Sequence, residues 1–111
     1  MVTVEVLSVT NEVVLEGALV GDPTERELKS GERIWMFQVA APRVSEPGVD
    51  WLDCSVREGR LLRAVSSWTE GDVVRVEGHL RRRFFHVAGG SRSVVELTAQ
   101  SGRRVKRGSS A

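Results

Sequence analysis

The chain has 111 residues and one cysteine, Cys54, which suits a single domain without an internal disulfide. Apolar residues make up 41% and charged residues 28%, ordinary values for a soluble globular protein. The net charge of +1 conceals opposed parts: residues 1–80 carry 8 Lys/Arg against 14 Asp/Glu, and residues 81–111 carry 8 Lys/Arg against Glu96 alone.

That asymmetry points to a polyanionic partner for the C-terminal part. No stretch approaches the roughly 18 apolar residues of a membrane span. The opening MVTVEVLSVTNEVV lacks the basic flank and long apolar run of a signal peptide. A cytoplasmic location is therefore expected, with no membrane contact.

β-branched residues and period-two alternation dominate the chain. The first apolar strand is expected at Glu12–Val20, with Val13, Leu15, Gly17 and Leu19 on one face. Gly21-Asp22-Pro23 ends it with turn residues. A short strand is predicted at Arg26–Lys29, and Ile34–Ala41 forms the next, closed by Pro42. Its parity places Trp35, Phe37 and Val39 in the core and turns Met36 and Gln38 outward, where they can meet a partner. From Asp50 to Val56, Leu52, Cys54 and Val56 face inward, and Trp51, Asp53 and Ser55 face out.

The period then changes. Leu61, Leu62, Val65 and Trp68 sit at helical spacing and predict one amphipathic helix of about three turns. A long strand runs from Val73 to Val87. Ala88-Gly89-Gly90-Ser91 is expected to be a flexible turn, and Ser93–Ala99 to return as the hairpin partner. The stretch from Ser101 to the C-terminus is basic and expected to be disordered, with the domain ending near residue 104 and a tail over 105–111. Five main strands with a helix between the third and fourth fit the plan of an all-β OB-fold, a partly open Greek-key barrel, and other small β-barrels share that coarse pattern.

The long strand carries the clearest functional signal. Its odd face reads His79, Arg81, Arg83, Phe85 and Val87, interleaving cations with a ring. Unpaired nucleic acid needs both: charge for phosphates and flat π-surfaces for bases. The outward Trp51 is a second stacking candidate. Catalytic signals are poor. His79 and His86 lack companions at metal-ligand spacing. Cys54 has no evident activating base and reads as a buried thiol. No glycine run forms a phosphate loop. Neither enzyme activity, nor a metal, nor a cofactor is expected.

Three stretches in order resemble the bacterial single-stranded DNA-binding proteins: Asn11–Pro23, Ile34–Ala40 with Asp50–Leu52, and Trp68–Arg83. The richness in arginine, valine and glycine resembles actinobacterial chains. The resemblance implies an OB-fold assembled as a homotetramer, with a dimer as the alternative. It implies single-stranded DNA as partner in replication, recombination or repair, and with it association with the nucleoid. Trp51 and Phe85 match stacking positions of that family, and Arg81 and Arg83 match basic ones. The strand around Val13 and Leu15 matches a subunit interface. Arg57 stands where the family has a third aromatic, and is expected to hold a phosphate instead. The loop PRVSEPGV has no aromatic for a fourth position. The chain ends RRVKRGSSA, without the acidic tip that recruits other proteins in that family, so such recruitment is not expected. The alternative reading is an accessory module, resembling primosomal replication protein N, that docks on a replication protein.

Overall fold

The computed structural model describes residues 9–108. Strand β1 (Val13–Leu19) leads to the short β2 (Thr24–Glu27), then β3 (Arg33–Pro42) and β4 (Val49–Val56). Helix α1 (Arg60–Val65) precedes the long strands β5 (Val73–Val87) and β6 (Gly90–Lys106). Hydrogen bonding orders them β1-β5-β6-β4-β3-β2, and β1 also pairs with β3. Five strands thus close a barrel, and β2 lies outside it on the edge of β3. This is the Greek-key plan expected.

Closure depends on two contacts. The β4–β6 pairing is parallel, from Asp53↔Glu96 to Ser55↔Thr98. The β1–β3 pairing is brief, Ala18↔Ala40 and Leu19↔Val39. It is permitted by Gly17, where a Cβ would lie 2.2 Å from the Ala40 carbonyl oxygen. Any side chain there would force the seam apart. At the end of β1, the Leu19 amide donates to the Asp72 carbonyl and the Gly71 amide to that of Leu19.

Inside the barrel pack Leu19, Phe37, Val39, Cys54, Val56, Val74, Val76, Leu97 and Ala99. Leu61, Val65 and Trp68 cover one end. Trp68 meets Phe37 edge to face, 5.6 Å between centroids, a favoured aromatic geometry. Burial confirms the parity read for Phe37, Val39, Cys54 and Val56, whereas Leu52, expected inward, is 39% exposed. Trp35 is half-buried against this core. Val13 and Leu15, expected at an interface, turn toward the core, whereas Val14 between them is exposed.

Three sequence expectations need correction. The helix spans six residues instead of three turns. Ser66 and Ser67 stop it: their hydroxyls donate to the Arg63 and Ala64 carbonyls, and the Ser67 and Trp68 amides bond back only three residues. Hydroxyls that compete for backbone oxygens favour such a tightened end. Trp68 reaches the core from the following turn. The predicted Arg26–Lys29 strand lies two residues earlier, at β2.

The third correction concerns the C-terminal stretch. β6 continues through Lys106, pairing Gly102 with Val76 and Arg104 with Val74. The residues from Ser101 to Lys106 are therefore strand, including Val105 and Lys106 of the expected tail; residues 109–111 lie outside the described part. Gly108 is tied down as well: its amide donates to Asp72 Oδ1 at 2.7 Å. Alternation and charge cannot reveal this, because a basic strand on a barrel wall looks like a solvated tail.

The hairpin beyond the barrel turns through Ala88 and Gly89 alone, since Val87 pairs with Gly90. Between barrel and hairpin the register slips at Glu77/Gly78, leaving Gln100 as an extra residue. Such a bulge bends and twists a strand. It lets β5 and β6 serve the barrel first and an extended arm after.

Candidate nucleic-acid interface

One sheet face collects the outward side chains. Residues in register across it form rows. Gln38, Asp53, Glu96 and Arg81 make one row across β3, β4, β6 and β5. Met36, Ser55, Thr98 and His79 make the next. Trp51 stands on the same face at one end of β4, paired with Ala40, and Phe85 lies out along the hairpin opposite Arg92.

Trp51 is 62% exposed and Phe85 is 37% exposed. A tryptophan this open on a strand gains little from the protein itself, and its ring is free to stack. Phe84, on the opposite hairpin face, is more exposed still at 71%. Sequence parity separated these two rings correctly, and only one of them faces Trp51's side of the sheet.

The centre of the face is less basic than the sequence suggested. Glu96 is buried, its side chain 1% exposed, and Arg83 Nε donates to its Oε2 at 3.0 Å. Ser55 Oγ donates to the other oxygen at 3.4 Å. The Arg83 guanidinium also sits 5.6 Å from the Phe85 ring centroid, within cation–π range. Arg83 is thus committed to an internal anion and to orienting Phe85. Arg81, opposite Glu96, is exposed and enters none of the ion pairs among the described residues. Of the two β5 arginines named from the sequence, Arg81 has the free charge.

Gln38 and Met36 are half-buried on this face, as their parity required. The Gln38 amide donates to Asp53 Oδ1 at 2.8 Å. Asp53 and Glu96 were not recognised as site residues. An isolated acid in a β-strand carries no periodic signal, and only the parallel β4–β6 pairing brings these two together. Cys54, between Asp53 and Ser55, points inward. Burial first, then the Asp53 and Glu96 carboxylates, push its thiol up to about 12, which leaves it unreactive.

Arg57 sits at the far end of the β4 row, 3.6 Å from Glu32. With His79, Thr98 and Gln100 it borders a cleft of about 440 Å³ beside the start of α1. Arg57 Nε and Thr98 Oγ1, both buried, have no hydrogen-bond partner among the described residues. Buried polar atoms are usually paired, so this end of the face is the one with unspent donors. Among the described residues no cluster of His, Cys, Asp and Glu is suited to a metal, and no helix is long and apolar enough to cross a membrane.

Comparison with known proteins agrees with the barrel. Residues 10–106 match the model of the Single-strand binding protein family. A Treponema pallidum protein named single-stranded DNA-binding protein is 35% identical over 95 residues, covering 80% of this chain and 54% of the relative. The chain therefore spans about half the length of that relative. Among solved structures, a Plasmodium falciparum SSB complex with ssDNA superposes with a TM-score of 0.67 at 20% identity, covering 86% of this chain and 93% of the other. That likeness is one of fold, and it confirms the OB-type barrel. By the match over nearly its whole length, the chain belongs to the single-strand binding protein family.

Proposed function

We propose that this protein holds single-stranded DNA without regard to long sequence motifs and performs no catalysis. The observation that carries the reading is Trp51, an indole 62% exposed on a sheet face that also presents Phe85 and Arg81. Bases stack on Trp51 and Phe85, while Arg81, Arg92 and Arg57 supply charge for phosphates. Replication, recombination and repair are the settings that expose such strands. Family membership and the name of the Treponema relative support the same reading.

The protein is expected to act as a homotetramer. The edge of β1 from Val13 to Gly17 that faces away from β5 is unpaired among the described residues. Exposed Leu80, Val95 and Phe84 gather on the hairpin face opposite the rings. Unpaired edges and apolar patches are both surfaces that association covers. Mass in solution tests the assembly.

The binding claim is tested by titrating a mixed-sequence single strand against the protein and against Trp51→Ala/Phe85→Ala. Each stacked base is worth roughly 1–3 kcal/mol, so the double variant should lose about 30-fold or more in affinity. A duplex of the same sequence should bind more weakly. Unchanged affinity of the double variant would defeat the stacking mechanism, and no single-strand binding at low salt would leave a protein-docking module as the better reading.

A further inference from the structure

The cleft beside the start of α1 is a place where donors stand without acceptors. Arg57 Nε and Thr98 Oγ1, both shielded from solvent, have no hydrogen-bond partner among the described residues, although buried polar atoms are usually paired. Glu32 meets Arg57 on Nη1. The other edge of the guanidinium, Nε with Nη2, is left unengaged among the described residues. That edge is a fork whose two parallel N–H groups match two oxygens of a phosphate. The Arg57 side chain is 31% exposed, so it has room to turn this edge into the cleft.

His79 lines the same cleft. It lies opposite Thr98 of β6, and Thr98 lies opposite Ser55 of β4. His79 is half-buried and enters none of the ion pairs among the described residues. Histidine is the side chain that gains its charge between about pH 8 and pH 5. The charges around it are mixed. In the lining itself, Arg57 and Glu58 oppose one another. Along β5, Glu77 and Arg81 stand two residues to either side, and Glu77 is within reach of Arg75. Glu96 of β6 is spent on Arg83, and Asp53 of β4 on Gln38 of β3. Glu12 precedes the β1 residue that pairs with Gly78, and Arg60 opens α1. Fixed acids and bases thus nearly cancel here, and the proton on His79 decides whether a phosphate meets net positive charge.

We propose that this cleft holds one phosphodiester of the bound strand between Arg57, Thr98 and His79, and that protonation of His79 tightens the grip as pH falls. Arg57 supplies the fork, the Thr98 hydroxyl donates one bond, and the imidazolium adds a charged N–H. The cleft lies six residues along β4 from Trp51, roughly 20 Å, so a strand stacked on that ring reaches it by crossing the face. The inference rests on the single-strand binding proposed above and adds to it a phosphate site and a dependence on pH.

The test is titration of a mixed-sequence oligonucleotide with hydroxyl ends, which carries phosphodiesters alone, at about pH 8 and about pH 5.5, on either side of the histidine range. Thermal melts at both values check that each variant is folded. Wild-type affinity should rise by about five-fold or more at the lower pH, as a charge-assisted bond on a half-exposed face allows. The slope of log K against log salt should steepen there by about 0.7, one further phosphate neutralised. His79→Gln keeps a donor that never becomes charged, and should lose most of the gain and the change in slope. Arg57→Gln should weaken binding at both pH values and shrink the gain, because the phosphate that His79 meets is no longer held. His86→Gln, on the other hairpin face, should keep the gain.

A wild-type affinity that is the same at both pH values would overturn the proposal, as would a gain that survives in His79→Gln or disappears in His86→Gln. A full gain in Arg57→Gln would remove His79 from a shared phosphate site and overturn it too. Binding at neither pH would defeat the single-strand reading itself, and this inference with it.

Discussion

Replacing Glu96 by Gln separates two consequences of the same ion pair. Glu96 lies beneath the sheet face with its side chain 1% exposed, while Arg83, its partner at 3.0 Å, is 26% exposed. Breaking a fully buried pair costs about 3–5 kcal/mol. Arg83 reaches solvent and re-hydrates, so the cost here is discounted to about 1–3 kcal/mol. Gln retains an oxygen for Ser55 and so preserves one contact of the site. For a domain of this size the melting temperature should fall by about 4–12 °C.

Binding should move the other way. Arg83, released from Glu96, becomes one more cation on the DNA face. Each phosphate neutralised on a single strand adds about −0.7 to the slope of log K against log salt. The variant should therefore bind tighter at low salt, with a slope steeper by about 0.7. The assay is titration of one oligonucleotide over a series of salt concentrations, with thermal melts of the same preparations. Arg83→Gln is the control: it should also lose stability, because it leaves the Glu96 carboxylate buried without its cation, and should not steepen the slope. A Glu96→Gln variant that melts lower with an unchanged slope would refute the idea that Glu96 withholds the Arg83 charge from DNA. Unchanged melting would refute the structural role of the pair.

Asp72 and Gly78 give two further expectations. Asp72 accepts the Gly108 and Thr69 amides, and these bonds, with a smaller contribution from Arg104, hold its carboxyl below the ordinary 3.8. A depressed carboxylate stabilises the fold above its unfolded value and loses that contribution as pH falls through the folded one. Acid titration of the melting temperature should therefore show a decline beginning near the ordinary value, and Asp72→Asn should lower stability by about 1–2 kcal/mol at neutral pH while flattening that decline. An equally steep decline in the variant would refute the assignment. Gly78→Ala would place a Cβ 1.9 Å from the Thr98 carbonyl oxygen. Backbone must part there, so the urea midpoint should report a loss of about 3 kcal/mol or more, at the severe end of single substitutions; a loss under about 1 kcal/mol would mean that the strands at the bulge are readily moved.

Much of the architecture is legible in the chain because period-two alternation is a local property. Val74 and Val76, Cys54 and Val56, and Phe37 and Val39 each declare a face without reference to any other strand. The same parity turned Trp51, Met36, Gln38, Arg81 and Phe85 toward one side. The resemblance to the single-stranded DNA-binding proteins then joined these segments into one barrel, and the family match bears it out. The helix was overextended because Trp68 keeps helical spacing while Ser66 and Ser67 end the helix before it.

What the sequence determined by itself is the set of faces: which side chains go inward, which strands carry cations, and where rings remain outside. What only tertiary structure decided is how the charges of those faces are spent. Glu96 and Asp53 are 43 positions apart and meet through a parallel pairing between β4 and β6. That pairing sets Glu96 beside Asp53 at the centre of the face, next to the arginines of β5. It engages Arg83 and leaves Arg81 free. Strand parity follows from the geometry of each residue's own backbone, whereas an ion pair needs two distant strands in one register, and only the closed barrel sets that register.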